Sequence, residues 1–330
     1  MENKFEVDAV QAMAAMSTSL RSELSKVIVG QEEVIEQIIA TIFAGGHALL
    51  TGLPGLGKTL LVKSIAKLMS LSFKRIQFTP DLMPADIFGT EVMQVDKQSG
   101  ERSFRFIHGP LFTNILLADE INRTPPKTQS ALLEAMGEGQ VSAGGKTYVL
   151  EEPFFVLATQ NPIELEGTYP VPEAQLDRFL MNIVMDYLPL AEEERMVRQT
   201  TAPEQEELKP VLSADDILAA RRLVRQVPVS SNVISYAVRL CAATRPGSES
   251  AGTLVNDMVK WGAGSRASQA LIMAGKARAL LQGRRNVACE DVSALLLPVL
   301  RHRVLLNFRA EAEGLNVEEV LQQVAATVKE

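Results

Sequence analysis

The stretch GLPGLGKTLL, residues 52–61, places three glycines, a lysine and a threonine between two apolar runs. It fits the pattern G-x-x-x-x-G-K-[ST] through Gly52, Gly57, Lys58 and Thr59. The preceding HALLT predicts a short buried strand, and KTLLVKSIAKLM predicts a helix because its apolar residues recur at helical spacing. A strand, a glycine loop and a helix start direct backbone N–H groups at one point, which is an arrangement that binds phosphate.

Two side chains of this stretch have the chemistry that a nucleotide site needs. Lys58 is expected to reach the β and γ phosphates, and Thr59 to offer its hydroxyl to Mg²⁺. Gly55 and Leu60 are counted with them as nucleotide-binding residues. The alternative interpretation is a glycine turn that only joins a strand to a helix.

An acidic pair follows a second apolar strand in NILLADEIN, residues 114–122. Adjacent residues at the end of an extended strand point in different directions. Asp119 is therefore predicted to serve the Mg²⁺ shell, while Glu120 faces the attacking water as general base. Acidic pairs are common at strand ends, so this pair alone would be weak evidence for a catalytic site. It is strong evidence here because the predicted phosphate loop lies roughly 60 residues upstream.

A third strand, FFVLATQNP at residues 154–162, ends in polar residues. In an open parallel sheet, ligands bind at the carboxyl ends of the strands, so Lys58, Glu120 and Asn161 are expected to converge on one crevice. Asn161 is then placed to orient water or to contact the γ-phosphate. The alternative for Asn161 is an Asn-Pro turn.

The chain divides into two parts of different sequence pattern. From residue 44 to about 185, strand-like runs alternate with helix-like stretches, as in a parallel sheet with crossover helices. After residue 188 the periodicity is helical throughout, with Ser213 and Asn316 as predicted N-caps. We expect a domain boundary between residues 187 and 188.

Composition limits the possible classes of function. The 330 residues are 46% hydrophobic and 22% charged, without an apolar run long enough to span a membrane, so we expect a cytoplasmic protein without membrane insertion. The net charge of −7 argues against a surface dominated by nucleic-acid contacts. No two histidines have the spacing of a helical metal pair, so Mg²⁺ brought by the nucleotide is the one metal predicted.

Other residues receive structural interpretations. Cys241 and Cys289 lack metal-ligand spacing and are expected to be buried. The basic runs at residues 284–285 and 301–303 are interpreted as solvated helix ends, and Trp261 as part of the core of the helical domain.

Six stretches, in chain order, resemble AAA+ ATPases of the MoxR family: VIVGQEEVIEQI, GLPGLGKT, LLADEINR, ATQNP, PEAQLDRF and GAGSRASQAL. The resemblance extends from about Val27 to the end of the chain, and NPIELEGTYPVPEAQLDRF is its most specific part. It implies an α/β AAA+ P-loop NTPase fold with a central parallel sheet flanked by helices, plus a smaller all-helical lid domain. FGTEVMQVDKQSGERSFRF and GQVSAGGKTYVL look like two β-hairpin insertions of that family, with DKQSG and AGG as their turns.

The resemblance also implies roles for individual residues. It places Val29, Gly30 and Gln31 in the adenine pocket, Asn161 at the sensor-1 position, Arg178 as an arginine finger donated to the neighbouring subunit, and Arg266 as sensor 2, in cis or in trans. The alternative for Arg178 is a structural salt bridge to Asp177 or Glu173.

The implied activity is Mg²⁺-dependent ATP hydrolysis by a homo-oligomeric, hexameric ring. Such proteins act as chaperones that remodel or activate protein clients, for example in the maturation of metalloenzyme complexes, with partners that carry von Willebrand factor A domains. The rival is a nucleic-acid motor of the related AAA+ helicases. The acidic charge balance weighs against it, as does the thin basic surface that Lys97, Arg102 and Lys146 supply near the hairpin tips. A third interpretation is a protein in which the nucleotide only switches assembly and is not hydrolysed. The presence of Glu120, the predicted general base, disfavours it.

Overall fold

The computed structural model describes residues 7–95, 102–163, 167–203 and 206–330. Within these ranges the chain forms eleven strands and fifteen α-helices. The strands are β1 (Ala48–Gly52), β2 (Phe73–Gln77), β3 (Gly89–Val95), β4 (Arg102–His108), β5 (Ile115–Asp119), β6 (Gln140–Ala143), β7 (Lys146–Val149), β8 (Phe155–Gln160), β9 (Met181–Met185), β10 (Val259–Trp261) and β11 (Leu305–Leu306). The helices up to residue 200 are α1 (Val7–Leu24), α2 (Glu32–Ala44), α3 (Lys58–Leu68), α4 (Pro84–Phe88), α5 (Pro126–Glu138), α6 (Glu173–Leu176) and α7 (Leu190–Thr200).

A five-stranded sheet with the order β2-β5-β8-β1-β9 forms the centre of the first part of the chain, and all its pairings are parallel. Consecutive residues of β1 face opposite sides of the sheet: Leu49 belongs to one apolar core and Leu50 to the other. Every residue of β5 is buried, and the strand is apolar up to its last residue, Asp119, as is typical of a central parallel strand. The predicted central parallel sheet flanked by helices is confirmed.

Two antiparallel hairpins extend from this sheet domain. β3 pairs with β4 along their whole length, and β6 pairs with β7. The β6–β7 turn uses Gly144 at φ 57° and Gly145 at φ 75°, as a two-residue type I′ turn requires. The predicted turn of the first hairpin, DKQSG at residues 96–100, lies outside the described residues.

The remaining helices form the C-terminal region. They are α8 (Ala214–Gln226), α9 (Ser231–Ala243), α10 (Thr253–Met258), α11 (Ser265–Leu281), α12 (Cys289–Ala294), α13 (Leu296–Leu300), α14 (Phe308–Ala312) and α15 (Val317–Thr327). Ser213 and Asn316 cap α8 and α15 and accept the N–H groups of Asp216 and Glu319, as predicted. The region is helical apart from the short antiparallel ladder of β10 and β11. No helix in the described part of the chain is long and apolar enough to cross a membrane.

Two structural interpretations from the sequence are wrong. Trp261 is 67% exposed, because it lies on the two-stranded β10–β11 ladder, outside the helical core. His302 and Arg303 are buried rather than solvated, because the turn after α13 packs onto the residues that lead into β9. Cys241 and Cys289 are buried, as expected.

His47 fixes the amino end of the sheet. The N–H of Val156 donates to its Nδ1 over 3.0 Å, so the ring proton lies on Nε2 and is donated to the Met136 carbonyl at 3.1 Å. Burial, together with the nearby Arg221, lowers the pKa of His47 to about 4. The imidazole is therefore neutral and serves as a structural link between β1, β8 and α5.

Candidate nucleotide site

The loop from β1 to α3 has the geometry of a phosphate cradle. Gly55 and Gly57 adopt left-handed φ values of 84° and 80°, and nothing lies within 4 Å of where a side chain on either would point. Gly57 is the N-cap of α3, so the first N–H groups of the helix point toward this open side. Gly52 is required for another reason, because a Cβ there would lie 2.6 Å from the Met185 carbonyl oxygen of β9.

Lys58 and Thr59 begin α3 directly after the cradle. Lys58 Nζ donates to the Gly52 carbonyl at 2.8 Å, so the ammonium folds back across the loop. Both side chains are partly buried beside the open face of the loop. The lysine charge and the threonine hydroxyl are thus available at the position where phosphate oxygens would enter.

Asp119 ends β5 and is held by two neighbours. Thr159 Oγ1 of β8 donates to Oδ1 at 2.6 Å. Arg75 of β2 donates to Oδ2 from Nε at 3.0 Å and from Nη2 at 2.6 Å. The nearly buried carboxylate is therefore charge-balanced and aimed by both strands that flank β5.

Glu120 has a left-handed backbone, with φ 58° and ψ 52°, which is uncommon for a residue with a side chain. Its N–H donates to Thr159 Oγ1 at 2.8 Å. Its Oε2 accepts from Gln77 Nε2 at 2.6 Å and from Arg123 Nη1 at 3.1 Å. The two adjacent carboxylates are therefore held by different side chains. This is compatible with the different roles predicted for them, Asp119 in the Mg²⁺ shell and Glu120 as general base.

Asn161 follows β8 and is buried. Its Oδ1 accepts the N–H of Ile163 at 3.2 Å, which is the local turn contact expected of an Asn-Pro sequence. The turn interpretation of Asn161 is thus confirmed by the structure, and its proposed role at the nucleotide site stays a prediction.

The sheet brings these predicted residues to one edge. β5, β8 and β1 are neighbours in the sheet, and Thr51 pairs with Gln160 while Ala118 pairs with Ala158. The carboxyl ends of β5 and β1 therefore each lie within one residue of the end of β8, and the loop after β1, the acidic pair and Asn161 all follow strand ends on the same edge of the sheet.

An apolar cavity of about 290 Å³ lies next to the phosphate loop. Val29 and Gln31 line it, together with Leu60 and the loop residues Gly55 and Gly57. Its far wall is formed by residues Met185, Tyr187, Leu188, Glu193, Met196 and Thr200. A largely apolar slot beside a phosphate cradle fits a flat nucleobase.

Gly30 supports this slot without lining it. At φ 66°, a side chain on Gly30 would lie 2.2 Å from the Glu192 carboxylate and 2.7 Å from Leu188. Gln31, also left-handed at φ 62°, donates from Nε2 to the Asp186 carbonyl at 2.8 Å. These contacts fasten the turn before α2 to the segment that leads into α7.

Arg178 and Arg266 are not among the residues that line the cavity. Arg178 Nη1 donates to the Leu133 carbonyl of α5 at 3.0 Å and lies against Gly137. Arg266, at the start of α11, is 66% exposed, with Nη1 3.6 Å from Oδ2 of Asp177. Asp177 also pairs with Arg303, and among the described residues no ion pair joins Arg178 to Asp177 or to Glu173, which was the predicted alternative.

The sequence interpretation missed four residues that contact Asp119 or Glu120: Arg75, Gln77, Arg123 and Thr159. Arg75 and Gln77 lie on β2, whose sequence FKRIQ is too polar to have been recognised as a strand of the sheet. Thr159 was recognised only as a polar strand end. Its spacing from the acidic pair carries no signal, because the contact depends on β5 and β8 being neighbours.

Thr59 and Asp119 have the oxygen ligands that Mg²⁺ prefers. In the described part of the chain, no three His, Cys, Asp or Glu side chains form a metal cluster. The donor set therefore fits a magnesium ion that retains water and phosphate oxygens as its other ligands, as is usual at nucleotide sites.

Comparison with known proteins places this geometry in a family. Residues 47–181 match the model of the ATPase family associated with various cellular activities (AAA), and residues 251–324 match an AAA lid domain. The chaperone MoxR1 of Mycobacterium tuberculosis is 42% identical over 306 residues, covering 93% of this chain and 80% of that protein. The chain belongs to the MoxR family of AAA+ ATPases.

Two further relatives agree. The MoxR protein of Methylorubrum extorquens is 30% identical, with 86% of each chain covered. A solved structure from Cytophaga hutchinsonii, described as a candidate ATPase, has a TM-score of 0.91 and 40% identity, covering 100% of this chain and 99% of that one. This MoxR-like chain is thus an AAA+ ATPase with chaperone relatives.

Proposed function

We propose that this MoxR-like ATPase hydrolyses ATP with Mg²⁺ in a homo-oligomeric, hexameric ring in the cytoplasm and uses the energy to remodel or activate client proteins. The observation that supports hydrolysis most strongly is the meeting of the phosphate loop, Asp119, Glu120 and Asn161 at three strand ends on one edge of the sheet. We also propose residues 1–187 as the nucleotide-binding domain with its two hairpins, and residues 188–330 as the lid domain.

The chain's own groups account for binding. The open N–H groups around Gly55 and Gly57 receive phosphate oxygens, and Lys58 exchanges its bond to the Gly52 carbonyl for the β and γ phosphates. Thr59 and Asp119 hold Mg²⁺, which when bound neutralises charge on the phosphate oxygens. The cavity that Val29, Gln31 and Leu60 line receives the adenine.

Glu120 accepts a proton from the attacking water, which Asn161 orients. To accept it, the carboxylate needs a free lone pair on the side of the crevice. Gln77 and Arg123 hold its Oε2 and thereby fix its orientation, and we propose that the side chain turns away from these two donors in the active arrangement.

Arg178 supplies charge to the neighbouring subunit's pocket. In its own chain Arg178 donates to the Leu133 carbonyl of α5, and its action in trans is proposed from the family resemblance. An arginine that reaches developing charge on the γ-phosphate stabilises the transition state by several kcal/mol. Arg266 contacts the nucleotide from the lid once its ion pair with Asp177 has broken.

The proposal that the clients are proteins is supported by the relatives, which include the chaperone MoxR1 and the protein MoxR. Partners with von Willebrand factor A domains are proposed from the family resemblance. A nucleic-acid motor is the second candidate, and the net charge of −7 disfavours it.

Affinity capture separates these functions. Glu120→Gln, which keeps the binding groups, is used as an ATP-bound trap in extracts of the source cell, and Lys58→Ala is the matched control that does not bind ATP. We expect ATP-dependent capture of specific proteins that survives nuclease treatment. Captured nucleic acid, or several-fold stimulation of ATPase activity by DNA at physiological salt, would favour the motor.

A further inference from the structure

The turn after α13 is anchored on the residues that flank Arg178. The guanidinium of Arg303, with only 4% of its side chain exposed, donates from Nε to Oδ1 of Asp177 at 2.8 Å. Its Nη2 donates to the Phe179 carbonyl at 2.6 Å, and its Nη1 to the Leu180 carbonyl at 3.2 Å. The acceptors lie on both sides of Arg178 in the chain.

His302 adds a second contact to the same segment. Its Nε2 lies 3.2 Å from the Phe179 carbonyl, which can only accept, so the ring proton is on Nε2. Burial, with Arg303 beside it, holds the pKa of His302 well below its usual value, so the imidazole is neutral there. A neutral ring and a fully hydrogen-bonded guanidinium together fix the backbone around Arg178.

This anchor belongs to the lid, defined here as residues 251–324, which match the lid family model. Arg266, in the same lid, pairs with the second oxygen of Asp177 at 3.6 Å. One carboxylate, adjacent in sequence to Arg178, is therefore shared by two lid arginines. A lid movement that withdraws Arg266 or tilts the turn after α13 acts directly on the segment that carries Arg178.

We propose that Arg303 is a positioning residue: through Asp177 and the carbonyls of Phe179 and Leu180, it sets the Arg178 finger so that the lid of one subunit controls hydrolysis in the next. The proposal rests on the proposed function, because it requires Arg178 to act in trans. A buried arginine that donates to three residues of this segment is suited to the role, because its rigid planar guanidinium can bond several carbonyls at once, which a lysine cannot do.

Mixed assemblies distinguish finger positioning from support of the pocket. An Arg303→Met subunit is expected to keep a working pocket and lose a working finger. Mixed with Lys58→Ala, which lacks the pocket but keeps its finger, it should recover the activity that Arg178→Ala recovers with the same partner. Mixed with Arg178→Ala, it should recover at least about tenfold less, because neither subunit supplies a finger.

The opposite pattern, recovery with Arg178→Ala and none with Lys58→Ala, would show that Arg303 supports the pocket and would overturn the proposal. Recovery in both mixtures, recovery in neither, or full activity of Arg303→Met alone would overturn it as well. The Arg178→Ala and Lys58→Ala pair is the reference, since its failure to recover contradicts the trans finger itself and not the role of Arg303.

Matched variants guard against a folding defect. Arg221→Met removes a half-buried arginine that donates to the Ile42 carbonyl away from this segment, and it should leave the mixing pattern unchanged. If Arg303→Met is unfolded by circular dichroism, Asp177→Asn takes its place, and it should lower kcat while KM for ATP stays within about twofold. A rise in KM with unchanged kcat would contradict the proposal.

Discussion

Gln77 Nε2 lies 2.6 Å from Oε2 of Glu120, so an amide on a neighbouring strand holds the side chain that is proposed to activate water. Hydrogen bonds to a charged acceptor contribute about 1.5–3 kcal/mol each, enough to govern the orientation of a carboxylate. In the arrangement described, Glu120 is thus restrained by β2.

Removing that restraint should change the rate more than the binding. We expect Gln77→Ala to raise the basal ATPase rate about two- to fivefold, because a fraction of a hydrogen bond's free energy no longer opposes the active orientation. Lys74→Ala, an exposed change on the same strand, is the control. Steady-state turnover and nucleotide affinity check this, and a rate below that of the unmodified protein would contradict it.

Lys58 and Glu120 should separate binding from chemistry. Lys58→Ala should lose ATP affinity, because the ammonium that meets the phosphates is gone. Glu120→Gln should bind ATP normally and hydrolyse it at least about a hundredfold more slowly, since only the base is removed. Titration with a fluorescent ATP analogue and single-turnover hydrolysis measure the two effects, and normal turnover in Glu120→Gln would remove Glu120 from its role.

Thr159 should matter for both stability and rate. Thr159→Val leaves the buried Asp119 Oδ1 and the Glu120 N–H without this partner, which costs about 1–3 kcal/mol for each group. We expect a lower free energy of unfolding in urea and a large loss of kcat. Thr159→Ser, which keeps the hydroxyl, should restore most of both, and equal behaviour of the two variants would argue against the hydrogen bonds.

The buried imidazole of His47 predicts a pH dependence of stability. Its pKa is about 4 in the folded protein and near 6.5 when unfolded, so the unfolded state binds more protons between these values. The contribution of His47 is complete above pH 6.5 and is lost as the pH falls toward 4, by roughly 3 kcal/mol in all.

Urea unfolding at pH 7.5 and at pH 5 checks this dependence. The stability of His47→Gln should fall less over that interval than that of the unmodified protein. His108→Gln, a change at an exposed histidine, should behave like the unmodified protein. An unchanged pH dependence in His47→Gln would refute the assignment.

The local parts of this structure were predictable from sequence. The phosphate loop, the acidic pair and the helix caps at Ser213 and Asn316 depend on residues within about one turn of each other, so their spacing carries the information. The position of these strand ends on one edge of the sheet was also predictable, since parallel strands bring their carboxyl ends to the same edge.

Most of the missed contacts join residues far apart in the chain; the exception is Arg123, which lies three positions from Glu120. Arg75 reaches Asp119 only because β2 is the neighbour of β5, which the sequence of β2 does not reveal. Residues 301–303 read as a charged helix end, yet Arg303 is buried against Asp177, 126 positions earlier. A charged side chain is buried only where fixed acceptors surround it, and those acceptors are set by tertiary packing.

We propose that hydrolysis requires a ring in which Arg178 of one subunit completes the pocket of the next. Arg178→Ala keeps its pocket and lacks a finger, whereas Lys58→Ala lacks the pocket and keeps its finger, so a mixed ring contains some interfaces with both parts intact. The direct measurement is the ATPase rate of the two inactive variants, alone and co-assembled at the same total concentration. We expect each variant alone to be inactive and the co-assembled pair to recover a measurable fraction of the unmodified protein's activity. Co-assembled rings that stay inactive would contradict the action of Arg178 in trans.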